Sequence, residues 1–171
     1  VSGSMGGKKI ASARASLIEF IAQLDDRDRL QIILFDDQLI DLTPLTPLGE
    51  KRDDVTRRVS GIVEGDDTRL YDAVKLAYDE LEANGDPAHI RAIVVLSDGV
   101  DTYSELSLSQ LLPEVHRHSE SGAGTKIFTI AFGNDADLGA LEEIAEPTGG
   151  KLYEGDPDTI QEVYADIATF F

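Results

Sequence analysis

The chain has 171 residues, 42% of them hydrophobic and 28% charged, and contains no cysteine. That length suits one domain, and the lack of cysteine excludes disulfides and thiolate metal sites. With 33 acidic against 15 basic residues, the net charge of -18 repels phosphate backbones and anionic lipid, which argues against nucleic acid as a partner.

Helical and extended patterns alternate along the chain. Ile10, Ala13, Leu17, Phe20, Ile21 and Leu24 form a helical stripe over Lys8 to Leu24. After the turn Asp25-Asp26-Arg27-Asp28, the almost wholly apolar run Leu30 to Phe35 predicts a strand covered on both faces. QLIDL alternates and predicts a more exposed strand, ended by Pro44 and Pro47. A weaker helix is expected from Lys51 to Val63. GDDT introduces another, with Leu70, Ala73, Val74, Ala77 and Leu81 on one face and Gly85 as its stop. AIVVLSDG and IFTIAFG read as the second and third buried strands. Between them Ser107 to Ser121 should be helical, with Pro113 starting, kinking or splitting it. Leu138, Leu141, Ile144 and Ala145 give a short helix ended by Pro147 and Gly149-Gly150, and KLYEG a final strand. In the last helix Asp156 is placed to cap, Pro157 suits the first position, and Ile160, Val163 and Ile167 form the buried stripe. His89, His116 and His118 read as surface residues, because a two-residue spacing suits zinc poorly. Apolar runs stop at about five or six residues, far short of a membrane span.

This alternation predicts an α/β fold, a Rossmann-like, doubly wound, mostly parallel sheet with helices on both faces, in one domain over residues 1–171. Ligands of such sheets bind beyond the carboxyl ends of the strands. Three segments reach that edge bearing short oxygen side chains: Ser2 and Ser4, Asp66-Asp67-Thr68, and Ser97-Asp98. Each also has an ordinary reading. The serines suit a flexible Gly/Ser leader, Asp67 or Thr68 a helix cap, and Ser97-Asp98-Gly99 a strand-exit turn. Together they make a hard-oxygen set, which suits magnesium or manganese rather than zinc or copper. Neutral hydroxyl ligands leave the ion's charge only partly balanced, so an ion held this way attracts an outside carboxylate.

VSGSM, then the threonine of GDDTRLYDAV, then LSDG resembles the metal-ion-dependent adhesion site of the von Willebrand factor A-like domains, written D-x-S-x-S, T, D. The order of elements resembles that family over essentially the whole chain, and IFTIAFGNDADLGALEEIAEPTGGKLYEG is similar to its bacterial members. The resemblance implies that Ser2 and Ser4 supply hydroxyl ligands. It implies that Thr68 binds directly in the ligand-engaged state and Asp98 directly or through water, around Mg2+, with Mn2+ or Ca2+ as substitutes. The implied function is a non-enzymatic binding module that recognises a protein or peptide through an acidic side chain. Such a module would belong to a larger chain, without membrane insertion, in an extracytoplasmic or cell-surface setting. The family's first aspartate would stand immediately before Val1, ending a hydrophobic strand in mid-sheet. Neither is in the sequence, so an N-terminally truncated domain with two exposed strand edges is expected. Two alternatives differ in class. One is magnesium-dependent phosphotransfer of the receiver type, using Asp36-Asp37 and Asp98, although Lys126 starts its strand and so lies at the wrong edge. The other is a metal-free scaffold with a vestigial site. No Ser-His-Asp order or nucleophile elbow points to hydrolysis.

Overall fold

In a computed structural model, which describes residues 7–63, 67–86, 88–117 and 124–170, helices and strands alternate as the periodicities require. They run α1 (Lys8–Gln23), β1 (Arg29–Phe35), β2 (Leu39–Pro47), α2 (Arg52–Ser60), α3 (Leu70–Asn84), β3 (Ala92–Ser97), α4 (Leu108–Val115), β4 (Lys126–Phe132), α5 (Leu138–Ala145), β5 (Leu152–Gly155) and α6 (Ile160–Ala168). Single 3-10 turns at Gly49–Lys51 and Glu146–Thr148 precede α2 and follow α5.

Strands β3, β4 and β5 form a parallel sheet in which Ser97 lies opposite Ala131 and Phe132 opposite Gly155. Their carboxyl ends therefore share one edge. β4 is buried on both faces: Phe128, Ile130 and Phe132 join a core with α1, α2 and α6, while Ile127 and Ala131 join another with α3, α4 and α5. The period of two divides one apolar run between two helical layers, giving the doubly wound arrangement. Among the described residues no helix is long and apolar enough to cross a membrane.

Strands β1 and β2 form a separate antiparallel pair. Between β1 and β3 runs a cavity of about 1070 Å³, with Ala13 and Leu17 of α1 on one side and Val74 and Ala77 of α3 on the other. Among the described residues, neither β1 nor β3 has a strand partner on the side that faces this cavity. That explains a departure from expectation. Apart from the buried Ile32, β1 lies half-exposed after Arg29, and β3 alternates between buried and half-exposed, where both were expected to be covered like β4.

Other departures are local. β2 continues through Pro44 to Pro47 instead of ending at Pro44. It tolerates the proline because the register slips there and the Ile32 N–H donates to Thr43 Oγ1 at 3.0 Å. Pro113 lies inside α4 without splitting it, close to the end of an eight-residue helix started by a Ser107/Gln110 capping box. α6 starts at Ile160, because Asp156 Oδ1 accepts from the N–H groups of Asp158 and Thr159 and holds a separate turn. His116 is half-buried beside α4 rather than a surface residue, and His118 lies outside the described residues.

Candidate functional site

Asp98 follows the last residue of β3, and Thr68 stands two residues before α3; both open onto the carboxyl end of the cavity. Asp98 is 3% exposed and Thr68 is 5% exposed. A Cβ built on Gly99 would lie 3.6 Å from Thr68 Oγ1, so the exit turn of β3 packs directly on the threonine hydroxyl. Ser97 Oγ closes that turn by donating to the Gly99 carbonyl at 3.2 Å.

Neither Asp67 nor Thr68 caps α3. The cap comes from the loop after β3 instead. Asp101 Oδ1 accepts from Leu70 N at 2.7 Å, and Ser104 Oγ accepts from Tyr71 N and Asp72 N at 3.1 and 3.2 Å. The Thr68 carbonyl accepts from the N–H groups of Thr102 and Tyr103, and its own N–H donates to Thr102 Oγ1. Arg69 bridges Asp72 and Glu105 at 2.7 Å each. Asp72 in turn accepts from the N–H groups of Glu105 and Leu106. The segment is thereby clamped at several points, and the clamp leaves the threonine side chain out of its hydrogen bonding.

The electrostatics follow from these contacts. Burial works to raise the Asp72 carboxyl, but the Glu105 N–H, the Arg69 guanidinium and the Leu106 N–H together hold it below its ordinary value. Burial raises the Tyr71 phenol, reinforced by the carboxylates of Asp101, Asp137 and Glu143. The edge of the sheet thus carries a negative field.

Lys9, in the first turn of α1, places its Nζ 3.5 Å from Asp98 Oδ2. Reading the sequence for oxygen ligands passes over it. The available signal was electrostatic: a lysine in a first helical turn opposes the helix dipole, and α1 has no acidic residue there to offset it. Ser2, Ser4 and Asp66 lie outside the described residues; of the expected ligands Thr68 and Asp98 are described, and Gly99, next to Asp98, lies against the Thr68 hydroxyl. Among the described residues no three His, Cys, Asp or Glu side chains form a metal cluster. The local chemistry fits a hard cation nonetheless: a buried hydroxyl and a buried carboxylate share one edge, and that carboxylate already faces a cationic group.

The family model of the von Willebrand factor type A domain matches residues 1–165. The chain belongs to this family. It is 28% identical over 180 residues to human inter-alpha-trypsin inhibitor heavy chain H4, covering 98% of this chain and 19% of the heavy chain. The chain therefore spans about a fifth of the length of that relative. Among solved structures, a von Willebrand factor type A protein from Catenulispora acidiphila superposes with a TM-score of 0.83 at 18% identity, over 98% of this chain and 39% of that one. Proximal thread matrix protein 1 from the mussel byssus, with a zinc-occupied metal-ion-dependent adhesion site, superposes with a TM-score of 0.72 at 14% identity, over 93% and 42% of the two chains. At these identities the two structures speak for the type A fold.

The residues of the phosphotransfer alternative lie on three elements. Asp36 and Asp37 occupy the hairpin between β1 and β2, where Asp36 Oδ1 accepts from Gln38 N, and Lys126 begins β4.

Proposed function

We propose that this domain is a non-enzymatic binding module that recognises an acidic side chain of a protein or peptide through a divalent ion. Thr68 and Asp98 would hold the ion together with Ser2 and Ser4. Mg2+ is the preferred ion on donor chemistry, with Mn2+ and Ca2+ as substitutes. The ion would supply an incompletely neutralised positive centre for the ligand's carboxylate. The chain's own residues orient it: the clamp of Asp101, Thr102 and Ser104 fixes the Thr68 backbone, and the Gly99 turn seats the hydroxyl beside Asp98.

The observation that carries this reading is the division of labour at the start of α3. A threonine that merely capped its helix would spend its hydroxyl on the helix N–H groups; here Asp101 and Ser104 do that work. The zinc-occupied site named for the mussel protein supports a divalent ion at this place in the fold. The setting we propose, on resemblance to the family, is extracytoplasmic or cell-surface.

The finer reading of the N-terminus rests on the cavity. Apolar side chains from two helical layers and two strand edges enclose a slot shaped for an extended apolar segment. We assign to it a strand ending in the motif's first aspartate.

Calorimetric titration with Mg2+ and Mn2+ tests the metal site. One saturable site is expected, and Asp98→Asn should remove it. Equal binding by both proteins would move the ion elsewhere. Exposure to a small acyl phosphate with Mg2+ should leave the intact mass unchanged; an added phosphoryl group on Asp98 would favour the receiver-type alternative.

A further inference from the structure

We propose that Lys9 is a tethered cation that competes with the divalent ion for Asp98, so that the ion loads only as the lysine withdraws. This deepens, and rests on, the metal-binding reading above.

The lysine head has a built seat. Its Nζ lies 3.5 Å from Asp98 Oδ2 at the end of β3, and the side chain is 25% exposed against 3% for the aspartate. On the adjoining strand end, Gly133 has φ +94, and a Cβ there would stand 3.0 Å from Lys9 Nζ and 3.3 Å from Cε. The ammonium thus rests over a position where any other residue would press on it. The lysine also starts α1 against the helix dipole, an unfavourable place that Asp98 offsets.

The pair is also loose. A tight charge-assisted bond spans about 2.7–2.9 Å, and this one is longer. The flexible four-carbon stem of lysine lets the ammonium move out to water at little cost. A magnesium ion binds oxygen at about 2.0–2.1 Å. Once on Asp98, it would crowd the ammonium within a few ångströms as a like charge. The two cations cannot both be favoured there. Lys9 therefore lowers the affinity of the site and sets the cation concentration at which it fills, and by linkage a bound ion drives Lys9 outward.

Mg2+ and Mn2+ should be titrated calorimetrically into the natural polypeptide carrying these residues, as wild type, Lys9→Met and Lys9→Arg. Removing the competing charge should make Lys9→Met bind both ions about tenfold or more tightly, while Lys9→Arg stays near wild type. In EDTA, Lys9→Met should melt below wild type because Asp98 has lost a cationic partner; with saturating Mg2+ the order should reverse. A merely structural lysine would not produce that reversal. Equal affinity of wild type and Lys9→Met overturns the competition and leaves the metal site standing. No saturable binding by any of the three overturns both, and reduces Lys9–Asp98 to a structural ion pair. If Lys9→Met fails to fold, wild type labelled at the lysine ε-carbon decides. Mg2+ should shift the Lys9 signal to that of a solvated lysine, and an unmoved signal overturns the proposal.

Discussion

Replacing the Thr68 hydroxyl with a methyl group, in Thr68→Val, keeps the β-branched shape and the clamped backbone. Among the described residues that hydroxyl has no hydrogen-bond partner, so stability should change by less than about 1 kcal/mol. Loss of a metal-orienting oxygen typically weakens binding by about 10–100-fold, and a fall of at least that size in Mg2+ affinity is expected by calorimetry. An unchanged affinity would leave Thr68 a packing residue. That Thr68 and Asp98 stand at the start of α3 and the end of β3 was legible in the sequence, because element boundaries marked by short polar residues are local. Lys9 and Asp101 were not, because their partners lie 89 and 31 positions away. Only folding shows that an aspartate after β3 caps the helix before it.

At the scale of elements, the loop after β3 and the start of α3 behave as one unit. Asp101→Ala would strip the acceptor from two helix N–H groups and should cost about 1–3 kcal/mol. Faster amide exchange at Leu70 and Tyr71 should accompany the loss. Asp72 ties the same unit to pH. Its folded-state pKa is depressed, so the stability it contributes is complete above its ordinary value of 3.8 and disappears as pH falls through the lower folded value. Asp72→Asn should therefore flatten the acid limb of the stability curve below about pH 4 while leaving the slope near neutrality unchanged; an acid limb as steep as wild type's would remove Asp72 from that role. The periodicity placed α1, α3 and β4 well, because each buries a regular stripe. It misplaced the ends of β2 and α6, where a register slip around Pro44 and an Asp156 turn decide the boundary. Two residues beyond α6, the ring centroid of Phe170 lies 4.9 Å from that of Phe128 in β4. That tilted ring contact anchors the end of the helix, so its amide exchange should be the same with and without Mg2+; protection that changes on metal addition would make it a moving part.

At the scale of the whole molecule, the feature to explain is the cavity between β1 and β3, lined by apolar side chains of two helical layers. Apolar side chains left facing water along such a cleft forgo the burial that stabilises the rest of the core. On the proposed reading, an extended segment lies between the two halves of the sheet. Such a segment would pair both facing edges, bury apolar side chains against α1 and α3, and bring its carboxyl end to Thr68 and Asp98. The resulting prediction compares a polypeptide starting at Val1 with one extended upstream by a strand ending in aspartate. The shorter chain should bind a hydrophobic dye, melt broadly and show weak amide protection along β1 and β3. The longer chain should melt cooperatively, protect both edges and bind Mg2+ at least tenfold more tightly, since it adds a carboxylate. If the two melt alike with equal protection of β1 and β3, the cavity is satisfied by other means and the strand assignment fails. A stability gain without tighter metal binding would keep the strand and remove its aspartate from the site, leaving Asp66 or Asp67 as the better candidate carboxylate.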